Sequence, residues 1–219
     1  MRNLTKTIAK IEKEIKDLFT SENSGHDIYH LKRVYNLALH LQKTEGGDKY
    51  IIGLAAFLHD IHRVMIRGKY CSPRKSLPLV KKILEQAGVE NGDVIKVLHC
   101  IEFHEEYSFS KKGKTVNDLE TLIVQDADNL DCIGATGIGR TFTYGGSHSI
   151  PMWKPEKPFS RKTYSEERDD ISIIHHFHSK MLKMKNNMNT KTALKMAERR
   201  DKFLREFLNE FLEEWKGNI

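Results

Sequence analysis

Apolar residues recur at steps of three and four along most of the chain, which is the period of amphipathic helices. The first apolar stripe runs from Leu4 to Leu18. A second helix begins near Asp27 and carries His30 on the same face as its apolar residues. Because no strand period and no internal repeat occurs, we expect an all-α fold of roughly seven to nine helices.

Polar residues interrupt the apolar faces of the middle helices. Residues 50–65 are apolar nearly all round, as expected of a central helix, and His59 and Asp60 lie near its end. His104 ends the apolar face of a later helix, and Asp126 takes a stripe position where an apolar residue is due. Such buried groups need a partner or a metal, since desolvating a lone charge is costly.

The last third of the chain combines a glycine- and proline-rich stretch with two long helices. Five glycines between positions 134 and 146 and three prolines at 151, 155 and 158 predict one extended loop. The glycines fit neither GxGxxG nor a Walker loop, so we expect them to allow close helix packing. Phe142 and Tyr144 in this stretch have two interpretations, stacking on a base and core packing. Helices of about 165–185 and 190–215 close the chain.

Composition narrows the class of protein. The 219 residues suit a single domain, 1–219, and no apolar run reaches the roughly 18 residues of a membrane span. The N-terminus lacks a secretory signal, so we expect a soluble, cytoplasmic protein.

Three cysteines without CxxC spacing predict neither a disulfide framework nor a thiolate zinc site. The net charge of +6 is interleaved along helix faces, so we expect no nucleic-acid partner, although salt-dependent nucleic-acid binding stays a testable alternative.

Two imidazoles and two carboxylates stand out as candidate metal ligands. They are His30, His59, Asp60 and Asp126, which come from three predicted helices. This donor set suits a divalent metal of borderline hardness with positions left for water and substrate. Each residue alone has a plainer explanation, a hydrogen-bonded core histidine or a capping aspartate.

The residues around these candidates form an extended pattern. His30 in His-x-x-Arg-Val, the His59-Asp60 pair and Asp126 in the segment 125–131 make an H…HD…D signature. The flanking blocks are GHDIYHLKRV from 25, DADNLDCIGA from 126, GRTFTYG from 139, HFHSK from 176 and AERR from 197. From about residue 20 to 215 the chain resembles a bacterial branch of small, stand-alone hydrolases in the HD-domain superfamily of metal-dependent phosphohydrolases.

The resemblance implies a helical HD domain with a metal-site core of about 20–135 and C-terminal helices of about 163–216 packed on it. It implies one divalent ion, Mn, Mg, Ni, Co or Zn, held by His30, His59, Asp60 and Asp126. The implied reaction is hydrolysis of a phosphoester or phosphoanhydride bond of a small nucleotide by a metal-bound water. Asp60 is also a catalytic candidate, and His104 is a candidate general acid, phosphate contact or second-metal ligand.

Cations and one further histidine are the candidates for binding the substrate phosphate. They are Arg33, Lys69, Arg140, Lys180 and His26. The alternative for Arg33 is a structural ion pair with Asp128 or Asp131.

Two other functions stay open, a cyclic-nucleotide phosphodiesterase and a non-catalytic module that binds metal or nucleotide. The phosphodiesterase branches add two histidines for a second metal, and the spacing of His99 and His104 does not suit that arrangement. The first helix could fold back on the domain or form a homodimer contact.

Overall fold

The computed structural model describes residues 2–65, 71–110, 113–159, 164 and 170–219. Ten α-helices lie within these ranges: α1 Leu4–Ile15, α2 Ile28–Glu45, α3 Lys49–Leu58, α4 Ile61–Met65, α5 Leu77–Ala87, α6 Asn91–Phe103, α7 Leu119–Asp131, α8 Gly134–Ser147, α9 Ile173–Ser179 and α10 Lys191–Trp215. Short 3-10 helices cover Lys16–Phe19, Pro73–Lys75 and Met181–Asn187. The described ranges contain no β-strand beyond one isolated bridge, between Ser110 and Tyr164. The all-α class is confirmed.

Helix α3 forms the centre of the fold. Every residue from Tyr50 to Leu58 is buried, and the helix packs against α1, α2, α6 and α7. Helix α7 is nearly as enclosed, since all residues of 123–131 are buried between α2, α3, α6 and the C-terminal helix α10. The two most enclosed helices therefore meet α2 in the middle of the molecule, where His30 lies.

Polar caps fix where the main helices begin. The carboxylate of Asp27 accepts the backbone N–H of His30 at 2.8 Å at the start of α2. Asp118 caps α7 through the N–H of Thr121, and Thr190 caps α10 through the N–H of Ala193. Each cap satisfies a backbone donor that the first turn leaves without a partner. The predicted start near Asp27 is confirmed.

The predicted single helix over 50–65 is broken in the structure. Helix α3 ends at Leu58, α4 begins at Ile61, and His59 and Asp60 form the turn between them. The N–H of Arg63 bonds to the carbonyl of Asp60, three residues back, at 2.9 Å. This tighter turn separates the five-residue α4 from α3.

The glycine-rich stretch is a helix where an extended loop was expected. Helix α8 spans Gly134–Ser147, and residues 151, 155 and 158 lie in the irregular chain beyond it. A Cβ at position 137 would lie 2.3 Å from the carbonyl carbon and oxygen of Cys132, and one at 145 would lie 2.4 Å from Cδ1 of Ile173. The expected close packing at glycine is confirmed at these two positions.

The C-terminal region differs in one of its two predicted helices. In place of a helix over about 165–185, the described residues form α9 and the 3-10 helix Met181–Asn187, and residues 165–169 lie outside the described ranges. The last helix, α10, has the predicted bounds within one residue. Among the described helices, none has the length and apolar character that crossing a bilayer requires.

Candidate metal centre

The imidazoles of His30 and His59 face each other between α2 and the end of α3, with their Nε2 atoms 3.1 Å apart. Nδ1 of His30 lies 2.8 Å from Oδ2 of Asp131, and Nδ1 of His59 lies 2.9 Å from the carbonyl oxygen of Ala56. Both partners are acceptors, so in each neutral ring Nδ1 carries the proton and Nε2 carries a lone pair. Two lone pairs therefore point at the same place.

Two buried carboxylates complete this group. Oδ2 of Asp60 lies 3.2 Å from Nε2 of His30. Oδ1 of Asp128 lies 3.5 Å from Nε2 of His30 and 3.7 Å from Nε2 of His59. These donor atoms come from α2, the α3–α4 turn and α7. Those of His30, His59 and Asp128 lie within 4.8 Å of one another, and Asp60 borders them at His30.

The electrostatics of the group favour a positive charge at that point. Burial lowers the pKa of His59, but the carboxylates of Asp60 and Asp128 outweigh burial and raise it to about 9. Burial raises the pKa of both carboxyls, yet the adjacent imidazoles hold the pKa of Asp60 and of Asp128 well below the usual range. The carboxylates therefore favour positive charge between the two rings, which a divalent cation would supply. The donor set of two imidazole nitrogens and two carboxylates fits such an ion.

Asp126, the expected fourth ligand, lies elsewhere. Its Oδ1 accepts the backbone N–H of Asn189 at 2.8 Å, and its Oδ2 accepts the N–H and the hydroxyl of Thr190 at 2.8 and 2.7 Å. Residues two apart on a helix are turned by about 200°, so Asp126 faces the start of α10 while Asp128 faces the imidazoles. The structure therefore places Asp128 at the position that we expected for Asp126.

Asp131 supports His30 from behind. One turn after Asp128 on α7, it binds Nδ1 of His30 and also receives two bonds from Arg33, Nε to Oδ1 at 2.9 Å and Nη2 to Oδ2 at 3.1 Å. Burial raises the pKa of Asp131, but His30, Arg33 and Arg140 together hold it well below the usual range. The bidentate geometry of Arg33 matches the structural ion pair considered as its alternative.

Arg140 lies directly beside the group. Its Nε donates to the carbonyl of Gly25 at 2.9 Å, and its Nη1 lies 3.1 Å from Oδ2 of Asp131. Its Nη2 is 3.5 Å from Nε2 of His30. Of the expected phosphate ligands, Arg140 therefore has a donor turned toward the candidate cation position.

Two further histidines border Asp60 on different sides. His26 is half-buried, and its Nδ1 lies 2.7 Å from Oδ2 of Asp60. His104 is 1% exposed, donates Nδ1–H to the carbonyl of Ile101 at 2.7 Å, and has its Nε2 3.9 Å from Oδ1 of Asp60. That Nε2 has no hydrogen-bond partner among the described residues. The structure thus brings both histidines to the edge of the group.

A buried cluster next to His104 was missed in the sequence. Glu105 binds Nε2 of His62 at 3.2 Å and the guanidinium of Arg63. Burial raises the pKa of Glu105, but Arg63 and His62 hold it well below the usual range. The sequence did indicate this cluster, because His104-Glu105 after α6 has the same histidine-acid order as His59-Asp60 after α3.

The expected lysines are not part of the described centre. Lys180 is buried with its Nζ 4.8 Å from the ring centre of Tyr107 and 5.2 Å from that of Tyr164, a cation–π arrangement. Lys69 lies outside the described residues. A phosphate contact by either lysine stays a prediction.

Comparison with known proteins identifies the class. The HD domain family matches residues 27–133, the segment that carries all four donor residues. The uncharacterized protein YpgQ of Bacillus subtilis is 32% identical over 215 residues, which are 97% of this chain and 95% of YpgQ. The chain belongs to the HD-domain superfamily of hydrolases.

Solved structures confirm the HD-domain helical fold. A Lactobacillus plantarum protein matches with a TM-score of 0.84 and 31% identity, covering 99% of this chain and 100% of its own. An HD-superfamily hydrolase of Bacillus thuringiensis matches with a TM-score of 0.71 and 33% identity, covering 98% and 99%. YpgQ in complex with ADP matches with a TM-score of 0.72 and 29% identity, covering 98% and 96%.

Proposed function

We propose that this protein is a metal-dependent phosphohydrolase that cleaves a phosphoester or phosphoanhydride bond of a small nucleotide. The observation that carries the proposal is the close approach of the Nε2 atoms of His30 and His59, with the carboxylates of Asp60 and Asp128 beside them. The complex of YpgQ with ADP supports a nucleotide as the ligand class.

In this proposal His30, His59, Asp60 and Asp128 hold one divalent ion, with Mn, Mg, Ni, Co and Zn all compatible with the donor set. When bound, such an ion lowers the pKa of water and screens the charge of a phosphate. The protein fixes the ligands in advance, since Asp131 and the carbonyl of Ala56 hold the two rings by their Nδ1 atoms.

Arg140 is the proposed phosphate ligand. Its guanidinium is anchored by Gly25 and Asp131, so that Nη2 is the donor left facing His30. Burial lowers the pKa of Arg140, but the thiol of Cys132 and the nearby carboxylates outweigh burial and raise it, so the side chain stays charged. A fixed cation beside the centre can bind a phosphate oxygen without reorganising.

His104 is the proposed proton carrier. Its tautomer is set by the Nδ1 bond to the carbonyl of Ile101, and its Nε2 lies 3.9 Å from Oδ1 of Asp60. A buried ring with one uncommitted nitrogen can accept a proton from water or donate one to a leaving oxygen. His26, bonded to the other oxygen of Asp60, holds that carboxylate in place.

A substrate panel tests the function. Phosphate or pyrophosphate release is measured on nucleoside mono-, di- and triphosphates and cyclic nucleotides with Mn, Mg, Co or Ni, for wild type and Asp128→Asn. We expect release from a linear nucleotide that requires metal and is lost in the variant. Preference for a cyclic nucleotide would support a phosphodiesterase instead, and nucleotide binding without release would support a non-catalytic module. As a control, Asp170→Asn changes a carboxylate bound to His176 and Ser179 and should retain activity.

A further inference from the structure

Two aromatic residues of α8 serve different parts of the molecule. The ring of Phe142 lies 6.3 Å from that of Phe177 and 6.0 Å from that of Phe207, inside the C-terminal core. Tyr144, two residues later, faces the other way, as helix geometry requires. Its ring stacks on that of His148 at 3.9 Å with an interplanar angle of 15°. Only Tyr144 therefore keeps base stacking as an interpretation.

The Tyr144–His148 pair is connected to the candidate metal centre by His26. The ring centres of Tyr144 and His26 are 6.3 Å apart, and those of His26 and His30 are 5.6 Å apart. Tyr144, His148 and His26 are half-buried, whereas His30 is fully buried. Two ring contacts therefore connect the buried centre to half-buried side chains. The distance they span is comparable to the length of the sugar and phosphates of a nucleotide.

The pair is held in a fixed orientation. Nδ1 of His148 lies 2.8 Å from the hydroxyl of Ser147 and 3.0 Å from the carbonyl of Tyr144. The backbone N–H of His148 also bonds to that carbonyl at 3.0 Å. Behind the tyrosine, Gly145 packs so closely on Ile173 that a side chain would not fit. A platform fixed before binding loses little conformational entropy when a ligand stacks on it.

We propose that the stacked rings of Tyr144 and His148 bind the base of the nucleotide whose phosphates lie at the candidate metal centre. The assignment rests on the proposed function and names its substrate class as a nucleoside phosphate. Stacking on an aromatic ring accepts every base, since each base has a π face. The platform therefore predicts broad base acceptance, with the base outward and the phosphates against Arg140 and His30.

Binding of two probes that share a diphosphate tests the platform. Affinities of ADP and inorganic pyrophosphate are measured by calorimetry with Mn²⁺ for wild type, Tyr144→Leu and Tyr144→Phe. We expect wild type to prefer ADP, and Tyr144→Leu to weaken ADP binding about 10-fold while pyrophosphate binding stays the same. Tyr144→Phe keeps the ring and should keep the affinity for ADP.

A matched control removes an equal ring elsewhere. Tyr29 is 65% exposed on α2 with Lys32 beside its ring, so Tyr29→Leu should leave both affinities unchanged. Equal weakening of both probes in Tyr144→Leu, or no weakening of ADP, would overturn the platform. Phosphate release is assayed separately. If wild type releases no phosphate with any of the metals, the hydrolase function is wrong. Even then, weaker binding of ADP alone in Tyr144→Leu would support the platform.

Discussion

Asp126 and Asp128 lie on opposite sides of α7, one with its Oδ2 2.8 Å from the backbone nitrogen of Thr190 and the other with its Oδ1 3.5 Å from Nε2 of His30. The first carboxylate joins α7 to the start of α10, and the second faces the candidate metal centre. One turn of α7 therefore carries a structural aspartate and a candidate metal ligand two residues apart.

Matched substitutions separate these roles. Asp128→Asn should lower metal affinity by more than about 100-fold, beyond the usual effect of residues outside the ligand shell. Asp126→Asn should instead cost about 1–3 kcal/mol of unfolding free energy, because its new amide faces the N–H groups of Asn189 and Thr190. Calorimetric Mn²⁺ titration and urea unfolding measure the two effects. Metal affinity lost in Asp126→Asn but kept in Asp128→Asn would reverse the assignment.

Asp131 should act on the metal through His30. Asp131→Asn removes the charge that fixes the Nδ1 proton of His30 and that binds Arg33, so we expect Mn²⁺ affinity to fall about 10- to 100-fold. Asp170→Asn is the matched control, since Asp170 bonds to His176 and Ser179, which lower its pKa although burial raises it. An Asp131→Asn variant that binds Mn²⁺ like wild type would show that His30 needs no support.

Metal removal should destabilise the protein. An ion that binds only the folded state adds about 2.7 kcal/mol at a free concentration 100 times its Kd. Thermal unfolding of the chelated protein should therefore occur at lower Tm than that of the Mn²⁺-loaded protein. In Asp128→Asn the difference should nearly vanish, and an equally large metal-induced rise of Tm there would argue for a site elsewhere.

The cap of α7 should give a pH-dependent contribution to stability. Burial raises the pKa of Asp118, but the hydroxyl and N–H of Thr121 and the ring of His99 outweigh it and lower the pKa. A lowered carboxyl pKa stabilises fully above the unfolded value of about 3.9, and the contribution disappears as the pH falls through the folded value. Asp118→Ala should therefore cost about 1 kcal/mol at pH 7 and less at pH 3.

Urea unfolding at both pH values measures this contribution of Asp118. Asp118→Asn keeps a side-chain acceptor for Thr121 and should retain most of the stability at pH 7. A cost of Asp118→Ala that is the same at pH 3 and pH 7 would mean that the charge of Asp118 plays no part.

Much of the fold follows from local pattern, because apolar stripes and caps act within one helix. The start at Asp27 and the central apolar helix were predicted for this reason. The break at His59 and the helix over Gly134–Ser147 were not predicted, because each depends on packing against other helices.

The residues of the candidate site could be predicted only where the apolar stripe of a helix identifies its buried face. His30, His59 and Asp60 were expected to meet, and the structure brings them together. The sequence pointed to Asp126 because it takes an apolar stripe position, but 123–131 is buried on every side, so the stripe does not distinguish Asp126 from Asp128. Asp131 was expected only as a partner of Arg33, because its bond to His30 joins residues 101 positions apart.

The break between α3 and α4 also limits how this protein can be stabilised. Consecutive side chains in a continuous helix diverge by about 100°, yet His59 and Asp60 both reach Nε2 of His30, at 3.1 and 3.2 Å. Substitutions that raise helix propensity across the turn would favour one uninterrupted helix and turn Asp60 away. Substitutions that stabilise the protein at this turn would therefore lower its activity, so stabilising substitutions should be placed on the outer helices.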